Sequence, residues 1–184
     1  MLTPKKLEAM RRIQEEYKDL NRRPMVNFGI TVGLEDENDL FHWKCTILGP
    51  KDTSYKGGLF NLQIIFPDNY PNEKPEVRFI TPIYHLNVKF FVNGHQPLGH
   101  ICVSTLNDWK SDYKISKVLP EIFYLFSSNN PDSPYDFTDG RRRNEYLNNR
   151  TLFEEKVRYF TKKYANPLGS RKKEFTTDWD FTYN

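Results

Sequence analysis

Residues 59–66 read Leu59-Phe60-Asn61-Leu62-Gln63-Ile64-Ile65-Phe66. Phe60, Leu62, Ile64 and Phe66 recur at every second position, and Leu59, Asn61, Gln63 and Ile65 occupy the alternate ones. That period of two predicts a strand with one face buried. Pro67, Pro71 and Pro75 then interrupt regular pairing until residues 77–80, which read as a short further strand. Upstream, Phe41, Trp43, Cys45 and Ile47 form a second alternating series, joined to the first by a long turn from Gly49-Pro50 to Gly57-Gly58. Val26, Phe28, Ile30 and Val32 give a third, followed by a polar turn over residues 33–39. Strands in succession with only turns between them indicate a four-stranded antiparallel meander rather than βαβ units.

Helices flank this meander. Leu7, Met10, Ile13, Tyr17 and Leu20 recur at three- and four-residue steps, with Thr3 as the cap and Pro4 in the first position. Arg22-Arg23-Pro24 ends that helix, because the residue before a proline disfavours the α region. Val118, Leu119, Ile122, Leu125 and Phe126 predict a second helix over residues 115–128, with Pro120 in its first turn. After Asn130-Pro131-Asp132-Ser133-Pro134 the chain turns again. Thr151-Leu152-Phe153-Glu154 fits a capping box and opens a last helix, whose stripe is Phe153, Val157, Phe160 and Tyr164. Asn166-Pro167-Leu168-Gly169 stops it. The fold class is therefore α+β: an N-terminal helix, a four-stranded antiparallel meander and C-terminal helices. Residues 1–165 form one domain and 166–184 a tail that carries Phe175, Trp179, Phe181 and Tyr183.

Composition agrees with a single folded unit. A chain of 184 residues with 38% hydrophobic and 15% aromatic content buries about 70% of its unfolded surface without disulfides or metal. Its 27 basic and 24 acidic residues leave a net charge of only +3, and no extended basic block points to nucleic acid. Short clusters such as Arg141-Arg142-Arg143 read as solvated faces or turns. No signal-peptide run follows Met1, no long apolar run spans a membrane, and two cysteines make no disulfide framework. The expected setting is a reducing one, cytosol or nucleus.

The chemistry concentrates in the irregular segment between Pro82 and Trp109. Cys45 shares a strand face with Phe41, Trp43 and Ile47 and belongs to the core, where a thiol is inert. Cys102 alternates with Ile101 and Val103 and so faces away from them. From pattern alone it is either an exposed nucleophile or a small core residue. A cysteine hydrolase would need a paired base; His85, His95 and His100 lie near in sequence, but in no hydrolase signature and in no standard zinc spacing.

Taken as a set, these segments resemble the ubiquitin-conjugating enzyme family over roughly residues 5–164. The pieces are Phe41-His42-Trp43, Gly49-Pro50, Ser54-Tyr55-Lys56-Gly57-Gly58, Phe66-Pro67-Asp68-Asn69-Tyr70-Pro71, Tyr84-His85-Leu86-Asn87, Gly99-His100-Ile101-Cys102, Trp109, Ile115-Ser116-Lys117-Val118-Leu119 and Asn130-Pro131-Asp132-Ser133-Pro134, in the family's order. The resemblance implies that Cys102 accepts ubiquitin or a ubiquitin-like modifier from an activating enzyme as a thioester. It then passes the modifier to a lysine or a second cysteine, with a RING-type or other ligase and substrate proteins as further partners. The chain itself holds no cofactor; ATP is used upstream.

The resemblance also assigns residues. Asn87 matches the motif asparagine, which either holds its loop or donates to the oxyanion formed when lysine attacks. His85 is structural rather than a base. Ser133 stands where many members carry an acidic residue that orients the lysine, and is otherwise a phosphorylation point or a plain turn serine. Lys5, Lys6, Arg11 and Arg12 give the first helix the positive charge used to meet the activating enzyme, Arg11 and Arg12 being best aligned. Asn72, Lys110 and Ser111 fall on the ligase-binding loops.

Four departures bear on these expectations. Leu86 replaces the motif proline, and the span from Asn87 to Cys102 is about twice the family's usual one, with the extra residues inside 88–98, Phe90 and Phe91 among them. Asn72 and Lys110-Ser111-Asp112 lack the usual apolar ligase anchors. Leu147 to Glu154 resembles members that conjugate other modifiers, but the N-terminal extension of those members is missing, so ubiquitin is the first choice. The alternatives are a catalytically impaired variant serving as a binding scaffold and a carrier of another modifier.

Overall fold

In the computed structural model the described residues are 3–89, 99–129, 131–132 and 140–167. Most of the insertion (90–98), Ser133 and the tail beyond 167 lie outside them. Helix α1 (Pro4–Arg22) starts as its sequence predicts: the Thr3 hydroxyl accepts the Lys6 N–H at 3.2 Å. Ile13 and Leu20 of its predicted stripe are buried, together with Ala9, while Leu7 stays exposed, and Tyr17 meets Trp43 at 5.3 Å between ring centroids.

The meander consists of β1 (Ile30–Asp36), β2 (Asp39–Leu48), β3 (Leu59–Ile65) and β4 (Glu76–Phe79), each antiparallel to the next. Cys45 pairs with Val32 and Leu62, and Ile64 with Trp43 and Val77. One alternating set thus comes to a single face: Trp43, Cys45, Ile47, Phe60, Leu62, Ile64, Val77 and Phe79 are all buried. Each large apolar side chain sealed there contributes about 1.5–3 kcal/mol. Burial also pushes the Cys45 thiol up to about 12, so it stays protonated.

Several elements differ from the sequence reading. Residues Val26–Phe28 form a 3-10 turn, not a strand; Gly29, at φ 59°, breaks the extended path. Phe28 leaves the sheet and packs edge-on against Phe123, 5.3 Å away. Strand β1 runs through the predicted polar turn to Asp36, whose carboxylate accepts the Asn38 N–H at 2.8 Å. The irregular segment adds two two-residue strands, β5 (Val88–Lys89) and β6 (His100–Ile101), so among the described residues the sheet has six strands in the order β1-β2-β3-β4-β6-β5.

The helical layer holds α2 (Ser104–Asn107), α3 (Ile115–Leu125), α4 (Arg141–Asn148) and α5 (Arg150–Tyr164). Helix α3 buries Ile115, Val118, Leu119 and Ile122, and Phe126 just beyond it sits among Tyr55, Phe60 and Phe79. Pro120 lies in its second turn rather than its first. Asn149, not Thr151, caps α5, its side chain accepting the Leu152 N–H at 3.2 Å. Helix α4 was not anticipated at all: its buried residues are Arg142 and Glu145, so the Arg141-Arg142-Arg143 run is not a wholly solvated face.

Glu16 of α1 ties the layers together. It is 2% exposed, and its carboxylate accepts from Arg12 Nε (2.7 Å), the Tyr70 hydroxyl (2.6 Å) and the Ile115 N–H (2.8 Å). A carboxylate at the start of α3 satisfies one of that helix's orphan donors and suits its dipole.

Candidate active site

Cys102 follows β6 and precedes α2. Extended backbone here buries Ile101 and Val103 and leaves Cys102 partly exposed, as the alternation predicts. Gly99 makes the approach to it: its φ is +84°, its N–H donates to Lys89 O at 2.9 Å, and its carbonyl accepts the Phe79 N–H at 2.8 Å. A Cβ there would stand 1.9 Å from Phe79 O, so only glycine fits.

Cys102 and Asn87 are brought together. The Cys102 N–H donates to the Asn87 carbonyl at 3.0 Å, and both residues line an open cleft of about 360 Å³. The cleft is completed by Ser104 and Asn107 of α2, by Glu121 and Tyr124 of α3, and by Ser128 and Asp132 beyond that helix. Asn107 Nδ2 lies 3.3 Å from Cys102 Sγ and donates to it. Glu121 accepts from the Thr105 N–H at 3.1 Å and from the Thr105 hydroxyl, which fixes the start of α2 and so the placement of Asn107.

His85 is 1% exposed, with both ring nitrogens in use. The Asn87 N–H donates to Nδ1 at 2.9 Å, so the proton sits on Nε2, which donates to the Leu125 carbonyl at 2.8 Å. Burial, reinforced by the Arg142 cation and opposed by the Leu125 bond, pushes its pKa down to about 4. A neutral ring with no vacant nitrogen cannot be the base of a cysteine hydrolase.

Residues 84–88 are anchored at several points. Tyr55, buried in the β2–β3 loop, donates its hydroxyl to Tyr84 O at 2.8 Å; the Tyr84 hydroxyl donates to Glu145 Oε2 at 2.6 Å. The Leu86 N–H donates to Asn129 Oδ1 at 3.4 Å. Sequence reasoning missed Asn107, Glu121, Arg142 and Glu145. Asp132 it held only as part of a motif, although that carboxylate lines the cleft one residue before Ser133.

The residues expected from the sequence to meet partners do not line this cleft. Lys5 and Arg11 are exposed on α1; Lys6 pairs with Asp68 at 2.9 Å. Arg12 turns inward, held by Glu16 and by Tyr113 O at 2.8 Å, so its charge is committed to the fold. Asn72, Lys110 and Ser111 are exposed, around Trp109, whose indole N–H donates to Pro71 O at 2.8 Å. No helix among the described residues is long and apolar enough to cross a membrane.

This arrangement agrees with two comparisons to known proteins. The family model for ubiquitin-conjugating enzymes matches residues 12–161. Ubiquitin-conjugating enzyme E2 14 of Schizosaccharomyces pombe (strain 972 / ATCC 24843) is 36% identical over 159 residues, which cover 85% of this chain and 94% of that protein. With the cysteine segment, the asparagine loop and the meander all inside the matched span, the chain belongs to the ubiquitin-conjugating enzyme family and is a transferase of that class.

Proposed function

We propose that Cys102 carries the C-terminus of ubiquitin as a thioester and delivers it to an amine. The observation that carries this reading is the pairing, in one cleft, of a partly exposed thiol with an asparagine loop, while the buried His85 behind that loop has no nitrogen left for base work. In the first step the Cys102 sulfur attacks the thioester carbonyl of ubiquitin held on the activating enzyme. A new S–C bond forms, the old one breaks, and the departing thiolate takes up the proton that Cys102 gave up. In the second step a lysine amine attacks the same carbonyl, an amide bond forms, Cys102 leaves as thiolate, and the amine proton passes to solvent.

Asn87 supports the second step. Its side chain donates to the oxyanion, and loss of such a donor costs on the order of 100- to 1000-fold in rate. His85 keeps the loop in place, and Ser133, next to Asp132, helps orient the incoming lysine. The exposed charge on α1, Lys5 and Arg11 with Lys6 beside them, speeds encounter with an acidic surface of the activating enzyme. Asn72, Lys110 and Ser111 meet the ligase. Residues 1–165 act as the catalytic unit, and a reducing compartment, cytosol or nucleus, suits a working thiol.

The test is incubation with ubiquitin, its activating enzyme and Mg-ATP beside a Cys102→Ser control, read on a non-reducing gel. A one-ubiquitin adduct that reductant removes, and that becomes resistant or absent in the serine variant, is the expected result. No adduct with ubiquitin but one with another modifier would reassign the cargo. No adduct with any would leave the scaffold reading, which Leu86 in place of the motif proline favours.

A further inference from the structure

A single side chain on α4 grips the loop that carries Asn87. Arg142 is 7% exposed, and its Nη1 donates to the carbonyls of both His85 and Val88, each at 3.0 Å. Those carbonyls bracket Leu86 and Asn87, so one nitrogen fixes the backbone on both sides of the asparagine. The guanidinium carbon lies 5.2 Å from the centroid of the Tyr84 ring, which shields it further. Its helix is docked on the same loop by a second buried group: Glu145 accepts the Tyr84 hydroxyl and pairs with Lys156 at 2.5 Å.

Packing alone does not account for an arginine here. Taking a guanidinium out of water is costly unless its hydrogen bonds are well made, and an apolar residue of similar volume would seat α4 without that cost. What the arginine adds is donors aimed at two specific carbonyls. The loop has need of them, because Leu86 leaves φ unlocked before Asn87. Burial keeps His85 neutral, and the cation adds to that effect, so that Nδ1 stays available to the Asn87 N–H.

We propose that Arg142 is a positioning residue for Asn87, holding the backbone of residues 85–88 so that the asparagine faces the acyl group on Cys102. This rests on the thioester reading above. The experiment uses the full chain charged with ubiquitin, after which charging is stopped and the adduct is chased with free lysine. Arg142→Met should charge within about twofold of wild type and discharge roughly 10- to 100-fold more slowly, the penalty of a misplaced group. Arg142→Lys, which restores a cation and donors, should recover most of that loss, and it serves as the folded background should the methionine variant melt at the assay temperature. Asn87→Ala should slow discharge by itself, and adding Arg142→Met to it should slow it no further, since the arginine acts through the asparagine.

Amide exchange of Asn87 and Cys102, both tied to this loop, should quicken about tenfold or more in Arg142→Met while the global melt persists. Unchanged discharge, equal loss of charging and discharge, multiplying losses in the double variant, or unchanged exchange would each overturn the proposal. Failure of wild type to form any reducible adduct would sink the thioester reading, and the catalytic purpose of the clamp with it. The exchange measurement would still judge the clamp itself.

Discussion

Acidification should expose the neutral state of His85. The ring is buried, and burial, with Arg142 beside it, takes its pKa from an ordinary 6.5 to about 4. In the unfolded chain the same histidine titrates near 6.5, so between these values the unfolded state holds a proton that the folded state refuses. The folded pKa is the lower one. Stability from this residue is therefore intact above 6.5, falls as pH drops through the window, and falls no further below about 4. At about 1.4 kcal/mol per unit, the window amounts to about 3 kcal/mol. The assay is urea unfolding followed by Trp43 and Trp109 fluorescence, from neutral pH to about 4, for wild type and His85→Asn. The asparagine oxygen can accept the Asn87 N–H as Nδ1 does, but the variant loses the donor to Leu125 and the titration. Wild type should be the more stable at neutral pH, and its advantage should shrink by about 3 kcal/mol on acidification, with the carboxylates common to both chains cancelling in the difference. A difference that stays constant across the window would refute the reasoning, because the ring would then titrate alike in both states.

Other outcomes follow from single contacts. Glu16→Ala should cost about 3–5 kcal/mol by urea unfolding, since it strands the Tyr70 hydroxyl, the Ile115 N–H and the Arg12 cation together, while Glu16→Gln, which keeps an acceptor, should cost clearly less; equal losses would refute the network. Gly99→Ala should destabilise by about 3 kcal/mol or more, from positive φ and the clash with Phe79 O, and an unchanged melting temperature would count against that geometry. Iodoacetamide should label Cys102 in the native protein and reach Cys45 only in denaturant, as mass spectrometry of the two peptides would show; native labelling of Cys45 would contradict its burial. Common RING-type ligases should bind weakly, because polar Asn72 and Lys110-Ser111-Asp112 offer no apolar anchor, and tight binding across a ligase panel would overturn this.

What the sequence disclosed depended on whether burial there is apolar. The meander was readable because Trp43, Cys45, Ile47, Phe60, Leu62 and Ile64 alternate and lie on one face. The outward turn of Cys102 was readable from its two buried neighbours. Helix α4 was not, because the residues it buries are Arg142 and Glu145, and a run of three arginines scores as solvent-exposed by any hydropathy argument. Strands β5 and β6 span two residues each, too few for a period to register. Arg12 reads as a surface charge for the same reason as Arg142: nothing local announces that Glu16, four residues on, is buried and waiting for it.

The parts that were hidden share a chemical character, and it suits the chemistry proposed for the cleft. A thioester carrier must let an amine attack while leaving water little help. A general base poised beside Cys102 would assist both nucleophiles, since proton removal favours water and lysine alike. Holding a donor where negative charge develops favours only what reaches the carbonyl in the right geometry. The loop of residues 84–88 is built on the second plan. Its histidine is kept neutral with both nitrogens spent, and its carbonyls are taken by Tyr55, Arg142 and the Cys102 N–H. Each anchor fixes backbone rather than supplying a titrating group. Preorganisation of this kind places its anchoring groups far apart in sequence, at Tyr55 in the β2–β3 loop, the Leu125 carbonyl at the end of α3 and Arg142 on α4, where no short motif can reveal them. Its predicted signature is a discharge rate more sensitive to Arg142 than the charging rate is.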